Sequence, residues 1–223
     1  MTTQPETPEP HRPPDRSRIV AAIAASLRNV DAFGTGPLAE LRRLDPAGSL
    51  CEPTLHRLLA RHRVPQGWLD GAGIRDWGLV IHAMALASPG PLSAPAHDRE
   101  PDGADARAAF WRDESRRAER RFGEALFEAG FSERRFVNLL DAAPDALLVA
   151  LPRAVRFLVA GGGPLPALAA VGLVMSAEAD GDWSDRVRQR IARGYYQAEF
   201  RAGNPQAQAI SQAISQAPSG DAA

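Results

Sequence analysis

Apolar residues recur at helical spacing along most of the chain. In "SRIVAAIAASLRNV", Ile19, Ile23, Ser26, Leu27 and Val30 fall on one face, and Ser17 stands where a cap is needed. The stretch "GPLAELRRLDP" carries proline in its first turn and stops at another, so a short helix bracketed at both ends is expected. A third helix begins at Pro53 in "PTLHRLLARHRV", and a fourth runs from about Gly73 to Ala87, where Ile74, Trp77, Ile81 and Met84 keep the spacing. That fourth helix is apolar nearly all round, which predicts a central position. Five more stretches follow, "FWRDESRRAERRFGEALFEAG", "SERRFVNLLDA", "PDALLVALPRAVRFLVA", "PLPALAAVGLVMSAE" and "WSDRVRQRIARGYY", each bounded by Gly, Pro or Ser. No run alternates β-branched and polar residues. The expected fold is all-α, a helical bundle of eight or nine helices.

Punctuation divides this pattern. Residues 1–14 are proline-rich and polar and residues 203–223 are low in complexity, so neither holds enough apolar surface to offset the entropy of ordering, and both are expected to be disordered tails. Residues 88–106, "SPGPLSAPAHDREPDGADA", are too long and too rich in Pro, Gly and acids for an ordinary connection, and read as a mobile loop or linker. Two packed helical subdomains, 15–87 and 107–202, are the expected organisation.

Composition narrows the function. The chain has 223 residues, 44% hydrophobic and 24% charged, enough to bury one sizeable core or two small ones. No apolar run approaches a bilayer span, and "MTTQPETPEPHRPPDRS" lacks the apolar centre of a signal peptide, so a cytoplasmic location without membrane contact is expected. A formal net charge of −1 excludes a protein that is basic all over. All 26 basic residues are arginine, the side chain that grips phosphate through a planar fork.

No catalytic constellation emerges. His56 and His62 point to different faces of a helix, and Cys51, the single cysteine, gives them no zinc geometry. His82 lies in the apolar fourth helix and reads as a core histidine with a local hydrogen bond. "VAGGGPLP" lacks the Lys and Ser/Thr of a phosphate loop, and Pro164 removes an amide the cradle would need. Acids stand beside arginines at helical spacing, as in Arg120 and Glu124, the pattern of a solvated face. No catalytic residue, metal or cofactor is expected.

Two segments could meet a polyanion. At about 100° per residue, Arg186, Arg190, Arg193, Gln197 and Arg201 fall within roughly 80° of one another, beside an apolar arc of Val187, Ile191, Tyr195 and Ala198. Such a row rises about 5 to 6 Å per turn, near the spacing of successive phosphates, so it could track a backbone without reading bases. The alternative is a basic helix whose charges pair with acids elsewhere, and the wheel leaves both open. Tyr195 reads as core, and Tyr196 as a stacking or packing residue on the other flank. In "RRFGEALFEAGFSERRFVNLL" a helix, an Ala-Gly turn, a Ser cap and a second helix bearing Arg134, Arg135 and Asn138 form either a helix-turn-helix or a tight pair within a bundle.

Taken in order, "GEALFEAGFSERRFVNLLDA", the helix "LLVALPRAVRFLV" and the closing "VRQRIARGYY" resemble the CasB family, the small subunit of the type I-E CRISPR Cascade complex. The matching positions are Phe131, Ser132, Glu133, Arg135, Phe136, Leu139 and Leu140, then Ile191, Ala192, Arg193, Tyr195 and Tyr196. Leu41, Arg42 and Arg43 fit the family's early Leu-Arg-Arg segment, and the resemblance spans most of residues 17–200. It implies a non-catalytic subunit, paired with a second copy of itself among other Cascade subunits, that lies beside guide RNA and target DNA and helps hold the displaced strand so that the R-loop stays open in antiviral defence. Arg42, Arg43, Arg134, Arg135, Arg186, Arg190 and Arg193 are then the candidate backbone contacts. The chain departs from the family at Phe131, often tyrosine, at Gly194, often aspartate, and in the long 88–106 segment. Gly194 weakens helix propensity by about 1 kcal/mol relative to alanine, so a bent or closely packed last turn is expected there. A helix-turn-helix regulator and an all-α protein–protein adaptor are the rival readings.

Overall fold

The computed structural model describes residues 15–177 and 181–203; the expected tails lie outside these residues, apart from Gly203, which closes the last helix. The helices are α1 (Arg16–Arg28), α2 (Val30–Phe33), α3 (Thr35–Arg43), α4 (Pro53–Arg61), α5 (Gly73–Ala87), α6 (Ala104–Glu128), α7 (Glu133–Leu140), α8 (Pro144–Ala160), α9 (Ala167–Ala177) and α10 (Asp182–Gly203). The described residues are thus all-α, with one helix more than the pattern predicts. The addition is four-residue α2, opened by Asn29, whose side chain accepts from the Ala32 amide at 3.2 Å. The only strands among the described residues are two-residue β1 (Leu92–Ser93) and β2 (Leu165–Pro166), paired in parallel with Leu92 opposite Leu165.

Local chemistry sets the helix ends. α1 is capped by Asp15, which accepts from the Ser17 amide at 2.8 Å; Ser17, expected as the cap, instead places its hydroxyl 3.1 Å from that of Ser115 on α6. α5 spans the expected residues and buries ten of its fifteen, among them Trp77, Ile81 and Met84. Its last carbonyls are met from outside: Arg42 on α3 donates to Ala85 O at 3.1 Å and also to Ser88 O. His82, buried as expected, donates from Nδ1 to Leu41 O at 2.9 Å, and burial holds its pKa below the ordinary value.

Around α5 and α9 the buried apolar side chains of α1 and of α3 through α10 join in one cluster, with the partly buried Val30 and Phe33 of α2 packed against it. Nine of the eleven residues of α9 are buried, so α9, like α5, is enclosed. Segment 88–106 lies against the helices. Leu92 is buried, the Ser88 hydroxyl donates to Leu27 O, and Glu100 pairs with Arg18 at 3.3 Å and Arg107 at 2.7 Å. Among the described residues, no helix is long and apolar enough to cross a membrane.

The closest helix contact joins α6 and α10, which run in the same direction: Glu119 meets Arg190, Gly123 meets Ile191, and Phe127 meets Tyr195. Gly123 and Gly194 make this possible. A Cβ on Gly123 would overlap the Ile191 carbonyl oxygen and lie 2.8 Å from Tyr195 N, and one on Gly194 would overlap the Arg120 carbonyl oxygen. The weak propensity of Gly194 is thus the counterpart of close packing.

Helix propensity alone would make Gly123→Ala or Gly194→Ala stabilising by about 1 kcal/mol. Backbone atoms cannot move aside as side chains do, so each substitution is instead expected to destabilise by about 1 to 3 kcal/mol or more. Thermal melts by circular dichroism check the sign: a raised melting temperature for either variant contradicts the contact.

Candidate nucleic-acid interface

The wheel drawn for α10 holds in three dimensions. Val187, Ile191, Tyr195 and Ala198 are buried, and the arginine edge lies beside them. Tyr195 anchors the helix: its ring stacks on Phe136 at 4.1 Å between centroids, meets Phe127 edge-on at 5.4 Å, and its hydroxyl donates to Phe131 O at 2.7 Å. Phe136 itself is fully buried, so α7 serves as one member of a packed pair. Tyr196 stays on the outer flank and donates to Glu133 Oε1 at 3.0 Å.

The candidate arginines divide by what their guanidinium groups already hold. Arg43, Arg134 and Arg193 are exposed and make no hydrogen bond or ion pair with another described residue. Arg135 is exposed with its guanidinium 5.8 Å from the centre of the Phe157 ring. Arg186 donates to Asp182 O at 2.9 Å and lies 3.8 Å from the Asp182 carboxylate, an exposed and weak pairing. Arg42 is committed to the end of α5, and Arg190 to Glu119 on α6. The side chain of Glu119 is 4% exposed and that of Arg190 23%. Burial pushes the Glu119 carboxyl above the ordinary range, while the hydrogen bond and charge of Arg190 pull it back. Arg42 belongs to the packing of α3 on α5 and Arg43 lies exposed beside it on α3, Arg134 and Arg135 stand on α7, and Arg186 and Arg190 of α10 face a different neighbour, α6.

That neighbour supplies cations the sequence reading passed over. Arg117, Arg120 and Arg121 on α6 and Arg201 on α10 line a cleft of about 450 Å³ with Gly194, Glu124 and Phe200. On the other side of the helix pair, a cleft of about 460 Å³ sets Arg112, Arg116, Arg186 and Arg190 over Leu168, Val171 and Met175. A wheel of α6 would have found them, since Arg112, Arg116 and Arg120 recur every fourth residue, as do Arg117 and Arg121. Glu124, read as a surface partner for Arg120, pairs across the helices with Arg201. No group of three or more His, Cys, Asp or Glu among the described residues is placed to hold a metal ion.

An all-helical body whose arginines edge a tightly joined helix pair has the make-up of a structural subunit of a nucleoprotein assembly. The family model for CRISPR-associated protein Cse2 matches residues 37–196, and the chain belongs to that family, the non-catalytic small subunit of the type I-E CRISPR Cascade complex. Comparisons with curated proteins and with solved structures give no match.

Removing one partner from a buried ion pair strands the other. Arg190→Ala is expected to destabilise the fold by about 3 to 5 kcal/mol at neutral pH. Without Arg190, the upward push of burial on the Glu119 carboxyl is opposed only by the smaller pull of the Arg116 and Arg120 charges, so the folded state holds its proton more tightly than the unfolded chain. Stability is then fully present below the ordinary carboxyl value of about 4.3 and falls as pH rises through the raised one. Melts of Arg190→Ala and native protein across that range check this; a deficit that grows on acidification contradicts it.

Proposed function

We propose that within the Cascade complex this chain grips nucleic-acid backbone beside the guide RNA and target DNA through its exposed arginines and helps keep the R-loop open. The carrying observation is that Arg193 and Arg134 are exposed and unpaired among the described residues, while their helices are anchored by the buried Tyr195 and Phe136. Arg43, Arg135 and Arg186 extend the same role. Arg42 and Arg190 contribute mainly by fixing the helices that present the others. Other Cascade subunits and a second copy of the chain are its protein partners, in the cytoplasm.

The physics suits so small a contribution. Exchange of a DNA duplex for a guide–target heteroduplex is close to balanced, so a few charge-assisted contacts to phosphates tip it, while base pairing reads the sequence.

The decisive variant is Arg134→Glu with Arg193→Glu, because reversal at Arg190 would set a second carboxylate against Glu119 and confound binding with folding. The assembled complex is expected to bind target DNA more weakly, with a salt slope reduced by about 0.7 to 0.9 for each lost contact. A salt titration beside a melt of the subunit reads this. Unchanged affinity and slope in an intact complex would leave the arginines as a solvated face, and binding by the chain alone that depends on duplex sequence and on Asn138 would support the helix-turn-helix reading.

A further inference from the structure

The outer face of α10 presents apolar surface that backbone contact does not use. Phe200 is 67% exposed and Tyr196 39%, one helical turn apart, and with Gln189, Ala192, Arg193 and Gln197 they line a shallow groove along the helix. Rings in water forgo the stabilisation of burial until an apolar group covers them. The groove runs toward the end of α10 at Gly203, and Phe200 stands in the last turn before it. Phe200 also lies beyond residues 37–196, so the family match does not speak for it.

The sequence that follows α10 has a complementary make-up. Residues 204–217, outside the described residues, read "NPQAQAISQAISQA". Asn204 stands where a cap is needed, Pro205 where the first helical position falls, and Pro218 where a helix stops. At about 100° per residue, Ala207, Ala209, Ile210, Ala213, Ile214 and Ala217 share an arc of roughly 160°, and serine and glutamine fill the rest, with Gln206 in the first turn as the one polar residue inside the arc. Two isoleucines among alanines bury too little to hold so short a helix in isolation, so the stripe needs a surface to lie on. We propose that residues 204–217 fold back as a helix along α10, with Ile210 and Ile214 covering Phe200 and Tyr196. Turned at Asn204 and Pro205 and rising about 1.5 Å per residue, the segment sets Ile210 level with the span from Tyr196 to Phe200 and Ile214 level with that from Ala192 to Tyr196. So short a connection holds the stripe beside the groove at an effective concentration on the order of millimolar, which makes a small apolar contact sufficient. The segment contains no acid, so Arg193 in the same groove keeps its charge unpaired and extends it past the cover on an apolar stem. The inference leaves the backbone-binding reading as it stands and does not depend on it.

Amide hydrogen exchange of the full chain, read by mass spectrometry beside a synthetic peptide of residues 204–217, tests this. In the native chain the amides of 207–217 are expected to exchange about tenfold or more slowly than in the peptide. Phe200→Ser, and separately Ile210→Ser with Ile214→Ser, are each expected to return them to the peptide rate while α6 and α9 keep their native protection. The isoleucine variant alters nothing within α1 to α10, so it decides the matter should Phe200→Ser loosen α10 itself. Protection is also expected to stay constant over an about hundredfold range of protein concentration, as an intramolecular contact requires. The proposal is overturned by peptide-like exchange in the native chain, or by protection that survives the loss of both isoleucines or of Phe200. Protection that rises with concentration overturns it too, because a second copy of the chain would then be covering the groove.

Discussion

The approach of α6 to α10 at Gly123 and Gly194 is the constraint on which the rest of the molecule turns. Each glycine lets its helix lie against a carbonyl of the other, Ile191 on one side and Arg120 on the other. Only at that separation do the Tyr195 ring reach Phe127 and Phe136 and its hydroxyl reach Phe131 O. The same closeness encloses the Glu119–Arg190 pair and sets the arginine clefts along the two sides of the joint. A wider spacing would separate the buried arc from its partners and leave the cations on an unsupported helix.

Around this joint the interior is organised by two helices that face protein on nearly every side. α5 and α9 bury most of their residues, so their polar backbone ends need partners from elsewhere in the chain. Arg42 supplies one set at the end of α5. Arginine therefore has several roles here: Arg42 and Arg190 close the fold on carbonyls and on the Glu119 carboxylate, Arg18, Arg107 and Arg201 pair with acids nearer the surface, and Arg43, Arg134 and Arg193 face solvent as open cations.

Features governed by near neighbours were legible in the sequence. Helix α5 could be read to the residue because an apolar run lies between turn signals, and the buried arc of α10 because a 3.6-residue period places Val187, Ile191 and Tyr195 together. The Cse2 membership was legible because ordered motifs survive where single residues vary. What depends on distant partners was not. Arg190 and Glu119 stand 71 positions apart, and nothing local marks the second as the partner of the first. The cap of α1 was misplaced because Asp15 and Ser17 are both good acceptors, and only backbone geometry selects the aspartate. The packing of segment 88–106 rests on Leu92, Ser88 and Glu100, three residues scattered in a stretch whose prolines and glycines suggest the opposite.

The shared direction of α6 and α10 has an electrical side. Antiparallel neighbours, the usual outcome of short connections, cancel their peptide dipoles; these two reinforce each other over the length of their contact. Charge of the opposite sign meets three of the four helix ends, with Asp105 in the first turn of α6, Asp182 and Asp185 in the first turn of α10, and Arg201 in its last. The side chains thus offset at those ends the field that the shared direction adds up, and it is the arginines along the flanks of the two helices that set the potential there.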